Sequence, residues 1–251
     1  PWHAISQDTT IKLPDSLRIN YYTFNTDNGI FPERHEKDTT LRDFQKYNTT
    51  IFKQASLGNI GLASKALEFS VPEEAGFTYG CRVYDALRYT DHNINRYETD
   101  VPYTELYYVM GRGREQLFNV LHSQKLGNQI RAGLDFRAIG SPGRYEHQQS
   151  NNKSAAFYTS FHTKKQKYRA YLSFIVNSFD MEENGGITND SLFENDTEVS
   201  PELLAVRLEE ATSQWKEQSF SLHHQYRIAS DIKDTVTVSR FRSIFNAGRL
   251  Y

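Results

Sequence analysis

The chain has 251 residues, carries a formal net charge of −2 at pH 7 and is 38% hydrophobic by residue. A balanced charge gives no general attraction to nucleic acid or to strongly acidic partners. The single cysteine, Cys81, excludes an intramolecular disulfide and a cysteine-rich metal site.

The apolar residues do not form a membrane-spanning run. No stretch reaches the roughly 18 consecutive apolar residues that indicate a transmembrane helix. The chain nevertheless contains 16 tyrosines and 16 phenylalanines, whereas disordered chains are poor in aromatic residues. This combination suits a β-sheet wall one side chain thick, with aromatic girdles at the membrane surfaces.

The N-terminal part of the chain is polar. We expect residues 1–40 to form a periplasmic or partly disordered segment, with one strand candidate at 17–25. The β-barrel region is expected to occupy residues 41–251. Pro1 is an improbable initiator, so we expect a processed or trimmed start.

The next segments give weaker signals. Short strands are expected at 51–56 and 66–71, and the glycines between them, Gly58 and Gly61, indicate a bend. The aromatic-rich segment 76–89 fits either a strand or the beginning of a helix.

A long alternating segment, 129–139, gives the clearest signal. Its even positions are all apolar, and its odd positions are polar or glycine. Because successive side chains of a strand point to opposite faces, it predicts a β-strand with one apolar face and one polar, charged face. Similar alternation predicts further strands at 103–110, 115–122, 154–163, 168–178, 219–228 and 236–247.

The segment 179–218 interrupts this pattern. Ser200 is a candidate N-cap, Pro201 suits the first helical position, and apolar residues then recur at helical spacing. We therefore expect a large extracellular loop with a helix at 202–216.

The links between the predicted strands alternate in length. From residue 123 onward they run short, long, short, long, short, as in outer-membrane barrels, where short turns face the periplasm and longer loops face outside. The expected fold is therefore all-β: an antiparallel transmembrane β-barrel of the outer-membrane type with a long, partly helical extracellular loop. Closed single-chain bacterial barrels have an even number of strands, from about eight upwards. Seven predicted strands therefore leave two alternatives: the ambiguous region before Pro102 supplies further strands, or the chain is an incomplete part of a larger barrel, which we favour.

Three motifs stand in order along the chain: Leu57–Ala63 (LGNIGLA), Pro102–Gly111 (PYTELYYVMG) and Glu183–Ile187 (ENGGI). Together they resemble the Putative porin family of Bacteroidetes outer membranes. The resemblance covers the chain from about residue 41 to residue 228. It implies an outer-membrane channel, and it implies no particular solute.

The polar strand faces supply the pore-lining candidates if they face a lumen. Arginine predominates among them, and rings of Arg or Lys favour anions. The alternative is that the arginines bond to acids and amides along the wall, as a network without ion selectivity. The candidates are Glu105, Arg131, Asp135, Arg137, Arg169, Tyr171, His223, Gln225, Arg227, Arg240 and Arg242.

The sequence contains no recognisable catalytic or metal-binding pattern. His223 and His224 are adjacent and would point to opposite faces of a strand, so they cannot bind one metal together. Ser141 and Ser160 lack the flanking glycines of a nucleophile elbow. Asp135 is expected to pair with its arginine neighbours rather than to act as a general acid. We therefore expect no enzyme, metal or cofactor.

Three functions remain open at this stage. The leading one is a bacterial outer-membrane porin that passes small solutes by passive diffusion and contacts membrane lipid. The alternative is a non-conducting barrel, plugged by 179–218 or by the N-terminal segment, that serves as a scaffold in a surface complex or a homo-oligomer. The third is a secreted β-sandwich that binds glycans. None of them involves nucleic acid.

Overall fold

A computed structural model of the chain describes residues 19–23, 33–37, 54–68, 82–165, 167–189, 191, 200–227 and 240–250. The regular structure of these residues is almost entirely antiparallel β-sheet. Its strands are β1 (Asn20–Thr23), β2 (Glu33–Glu36), β3 (Gln54–Ser56), β4 (Ser64–Ala66), β5 (Arg96–Glu98), β6 (Tyr103–Met110), β7 (Gln116–Leu126), β8 (Ile130–Ser141), β9 (Ser150–His162), β10 (Tyr168–Glu182), β11 (Thr212–Arg227) and β12 (Arg240–Leu250).

Strands β6 to β12 form one seven-stranded sheet, which we call the wall. Each strand pairs with its neighbours in sequence, so the wall is a meander of hairpins, as the alternation of link lengths predicts. In the described part of the chain the wall is open, with β6 and β12 at its edges. The all-antiparallel architecture confirms the predicted fold class.

The wall has one apolar and one polar face. Leu134, Phe157 and Phe174 are neighbours in register across β8, β9 and β10, and their exposed fractions are 42%, 45% and 43%. The alternate positions, such as Tyr158 and Ser173, are almost completely buried. We call the face that carries Leu134, Phe157 and Phe174 the outward face, and the face that carries Tyr158 and Ser173 the inward face.

All seven predicted wall strands are present in the structure, several with different bounds. β6 matches its prediction, whereas β9, β10 and β11 are longer than expected at the ends nearest the long loops. The reason is that the ladder continues beyond the outward apolar alternation into polar pairs, such as Asp180 with Asn151 and Glu182 with Thr212. The last strand begins at Arg240; residues 236–239 and 228 lie outside the described residues.

The predicted helix at 202–216 is wrong. Only a single 3₁₀ turn, Pro201–Leu203, is present at its start, and the Ser200 side chain makes no capping hydrogen bond. Residues 212–216 belong instead to β11, where they pair with β10. Pairing with an existing strand edge outweighs a weak local helix preference. Among the described residues, no helix is long and apolar enough to cross a membrane.

Two small sheets accompany the wall. Strand β1, which lies within the predicted 17–25 segment, pairs with β2 on one side and with β5 on the other, and β3 pairs with β4. Between β3 and β4 the loop 57–63 bends at Gly58 and Gly61, both at positive φ, which confirms the predicted bend.

Residues 82–99, which we call the inner segment, run across the inward face of the wall. They begin with a turn at 83–87, so the helix considered for this region is not formed. Three small apolar clusters mark the path of the inner segment: Tyr84 with Phe179 and Met181, then Tyr89 and Ile94 with Ala156 and Ile175, then Tyr97 with Leu121 and Tyr158.

Candidate functional site on the inward face

Inward side chains of the wall bind the backbone of the inner segment. Asn177 accepts a hydrogen bond from Tyr89 N and donates one to Tyr89 O, both at 2.9 Å. Ser123 Oγ donates to Tyr97 O at 2.9 Å, and Arg137 donates to Leu87 O. Because buried backbone groups must find partners, these side chains take the place of a neighbouring strand.

The loop 57–63 is attached in the same way to the ends of β8 and β9. Ser150 Oγ donates to Ile60 O at 2.6 Å, and Asn152 donates to Gly61 O. Asn59 accepts from Ser141 Oγ at 2.6 Å and donates to Gln148 O at 2.7 Å. The LGNIGLA motif is therefore a docking loop for the inward face.

Asp91 is the centre of a buried polar cluster. Its carboxylate accepts hydrogen bonds from Arg96, Ser173 and Ser221, and it also contacts His223 Nε2. The side chains of Arg96 and His223 are each only 2% exposed. One carboxylate of the inner segment is thus joined to both β10 and β11.

Electrostatics favour the ionised form of Asp91. Burial raises the pKa of its carboxyl, but the hydrogen bond from His223 and the positive charge of Arg96 outweigh burial and hold the pKa well below its ordinary value. The cluster contains Ser, His and Asp but not the order of a hydrolytic triad, in which the serine bonds to the histidine. Here both serines bond to Asp91, so the cluster has a structural role: it joins the inner segment to the wall.

A second polar cluster surrounds Tyr89. Asp135 accepts hydrogen bonds from Tyr89 Oη and from Asn119 Nδ2, both at 2.8 Å. The Arg137 guanidinium lies 4.6 Å from the centroid of the Tyr89 ring, within the range of a cation–π interaction. Asp135 and Arg137, two predicted pore-lining residues of opposite charge, therefore bind the inner segment at Tyr89.

A cavity of about 260 Å³ lies between the small β1–β2–β5 sheet and the wall. It is at the end of the wall where the short turns are found, since Arg131 is the second residue of β8 and Arg169 the second of β10. Its lining is Tyr22, Arg34, Glu98, Arg131, Phe161, His162, Arg169 and Tyr171.

Positive charge predominates in this cavity. Arg131 Nη2 lies 3.1 Å from Asp100, but Asp100 is shared with Lys125 at 3.2 Å. Hydrogen bonds and charge from Lys125 and Arg131, against some burial, lower the pKa of the Asp100 carboxyl. Four cations and two carboxylates lie at or beside the cavity: Arg34, Lys125, Arg131, Arg169, Glu98 and Asp100.

The predicted pore-lining residues fall into several groups. Arg131, Arg169 and Tyr171 meet at the cavity, whereas Asp135 and Arg137 hold Tyr89 and His223 contacts Asp91. Glu105 lies apart from these groups. It forms an ion pair with Lys37 at 3.0 Å and accepts a hydrogen bond from Tyr103 at 2.7 Å.

The remaining predicted residues lie on β11 and β12. Gln225 is half-buried and lies opposite Arg169 on one side and opposite Arg242 on the other. Arg227 lies opposite Arg240. The side chains of these three arginines are outside the described part of the chain.

Sequence reasoning did not identify the residues that bind the inner segment. They are small and polar, and they lie on the same strand faces as the predicted pore-lining residues: Asn119, Ser123, Ser154, Ser173, Asn177 and Ser221. The composition of the wall could have indicated them, because the inward-facing strand positions carry more serine and asparagine than charged residues. Such side chains suit a face that bonds to backbone groups.

The two-faced antiparallel wall, apolar outside and polar inside, is the arrangement of outer-membrane β-barrels. Residues 18–249 match the model of the family described as Putative porin. The chain belongs to this family, which supports a porin-like role in general and points away from an enzyme. No curated protein and no solved structure gave a match.

Proposed function

We propose that this protein is an outer-membrane channel through which small solutes pass along the polar inward face, with the inner segment narrowing the passage. The observation that carries the proposal is the row of exposed apolar side chains on the outward face, since Leu134, Phe157 and Phe174 are neighbours in register. Such a row suits lipid, and the polar residues behind it suit water. Family membership supports the same location.

The electrostatics of the cavity support a weak preference for anions, because its cations outnumber its carboxylates. Single-channel conductance of the detergent-purified, full-length protein in a planar bilayer tests the channel itself. Stable open steps are expected. The reversal potential in a potassium chloride gradient then tests selectivity, and a cation preference would contradict this part of the proposal.

A second candidate is a non-conducting barrel that acts as a scaffold or subunit of a surface complex. The favouring observation is the close attachment of the inner segment and of the loop 57–63 to the inward face. A correctly inserted but electrically silent protein would favour this candidate.

The attachment itself offers a way to separate the two candidates. Asn177→Ala removes both hydrogen bonds to the Tyr89 backbone, so it should release part of the inner segment and raise conductance if a passage exists behind it. Ser178→Ala, on the opposite face of the same strand, is the matched control. Silence of both variants would leave the scaffold as the better description.

A further inference from the structure

We propose that the cavity lined by Arg34, Arg131 and Arg169 is a binding site for a small oxyanion, that is, a phosphate, sulfate or carboxylate group. The inference rests on the proposed function and deepens it, because it names the class of solute that the passage would hold.

Three arginines from different strands of two sheets line this cavity. Arg34 belongs to β2, Arg131 to β8 and Arg169 to β10. Like charges repel, so their convergence on one space is unfavourable unless something negative lies among them. The only carboxylate among the described lining residues is Glu98, and Asp100, beside the cavity, is shared between Arg131 and Lys125.

The positions of the arginines are set by the surrounding strands. Tyr22, which faces the same space, lies opposite Arg34 in register, and its ring centroid is 6.4 Å from that of Tyr171. Burial and Glu98 raise the pKa of the Tyr22 phenol, whereas Arg34, Arg169 and Arg131 act in the opposite direction. Arg34, Arg131 and Arg169 line the same cavity as Tyr22, so they surround one space that an anion can occupy.

The donors match an oxyanion rather than a halide. Guanidinium groups form paired hydrogen bonds to the two oxygens of a carboxylate or phosphate. Arg131 Nη1 lies 3.4 Å from His162 Nδ1. Because a guanidinium has no acceptor, this contact is a hydrogen bond only when Nδ1 of the neutral ring accepts it and the ring proton is on Nε2.

The size and place of the cavity also fit a small solute. Drug-sized ligands occupy sites of about 300–1,000 Å³, so a cavity of about 260 Å³ suits a smaller ligand. It lies at the short-turn end of the wall, which in outer-membrane barrels is the periplasmic end. An oxyanion bound there would sit at one mouth of the proposed passage.

The test is equilibrium dialysis of radiolabelled inorganic phosphate against the full-length protein in detergent at low ionic strength. Saturable binding is expected, with displacement by sulfate and acetate but not by chloride at equal ionic strength. The double variant Arg131→Gln, Arg169→Gln should lose affinity at least tenfold. Arg207→Gln removes an exposed arginine at the long-loop end, outside the cavity, and should bind as the parent protein does.

A variant that keeps the charge provides a second measurement. Arg169→Lys retains the positive charge but loses the planar fork, so a clear loss of affinity is expected even if the double variant does not fold. The inference is overturned if the parent protein shows no saturable binding, if chloride competes as well as sulfate, or if Arg207→Gln weakens binding as much as the cavity variants. Binding in detergent does not depend on conductance, so a silent channel that binds phosphate would refute only the proposed function.

Discussion

Asp91 shows how a single residue can join an irregular segment to a sheet. Its partners come from three elements: Arg96 from β5, Ser173 from β10, and Ser221 and His223 from β11. Inside a protein such bonds are stronger than in water, but a group that loses its partner there is correspondingly costly. The cluster is therefore stable only when all of its members are present.

Removal of the Asp91 charge should destabilise the protein strongly. Asp91→Asn leaves the buried guanidinium of Arg96 without its counter-charge, and breaking a buried ion pair from one side costs about 3–5 kcal/mol. The midpoint of urea-induced unfolding in lipid vesicles measures the effect. The double variant Asp91→Asn, Arg96→Met removes both charges and should recover much of the loss. Equal stability of Asp91→Asn and the parent protein would contradict this stabilising role of Asp91.

The ionisation of Asp91 also predicts that the stability of the folded protein depends on pH. Because the folded-state pKa of Asp91 is lowered, its contribution to stability is complete above the unfolded-state pKa of about 3.9 and is lost as the pH falls below that value. Arg96 and His223 are the charged or titratable groups that contact it.

Urea unfolding at a series of pH values between 7 and 2.5 checks this dependence. The difference in unfolding free energy between the parent protein and Asp91→Asn should be constant near neutral pH and should shrink at the acid end. A difference that does not change with pH would show that Asp91 ionisation is not what stabilises the cluster.

At the scale of the element, β8 shows how a strand makes room for the layer that covers it. Gly133 lies opposite Tyr158 in register, and a Cβ at Gly133 would lie 2.3 Å from the Tyr158 ring. Tyr158 in turn packs against Tyr97 of β5 and against Leu121. Because Gly133 has no side chain, the Tyr158 ring fits against β8, and this ring supports the small sheet through Tyr97.

Gly133→Ala should therefore destabilise the protein by about 1–3 kcal/mol, the usual cost of overpacking. The matched control is Gly140→Ala on the same strand, where a Cβ would meet nothing within 4 Å. The control should be neutral or slightly stabilising, since alanine suits a strand better than glycine. Urea unfolding of the two variants gives the comparison, and equal midpoints would show that the ring moves aside without cost.

The wall could be predicted from the sequence because alternation of side chains is a direct consequence of strand geometry. The prediction failed where the pattern carried no information. Polar residues on both parities hid the beginning of β9, and a few apolar residues at helical spacing suggested a helix where β11 begins. In each case pairing with the neighbouring strand decided the structure.

The inner segment could not be predicted in this way. Its hydrogen bonds join residues far apart in the sequence, such as Tyr89 and Asn177, which are separated by 88 positions. The same is true of the cavity: the sequence marked Arg131, Arg169 and Tyr171 as lining, but only the fold brings Arg34 and Tyr22 to them.

At the scale of the whole molecule, the apolar outward face of the wall favours a membrane barrel over a soluble sandwich. The row formed by Leu134, Phe157 and Phe174 continues to Phe220 on β11. A soluble sheet that exposed this row to water would tend to associate, because large contiguous apolar patches are rare on soluble monomers. In a membrane the same row would face lipid.

Phe157→Arg tests this difference directly. If the row faces lipid near the bilayer midplane, the arginine should destabilise the inserted protein by about 2–4 kcal/mol, whereas near the membrane surface the cost is about 0–1 kcal/mol. Asn151→Arg, on the same strand and the same face but close to its end, is the matched control. The urea midpoint in lipid vesicles measures both variants. In a soluble β-sandwich, Phe157→Arg would replace an exposed apolar ring by a charge at little cost. A Phe157→Arg protein that stays folded and is soluble without detergent would therefore contradict the membrane barrel and favour the glycan-binding alternative.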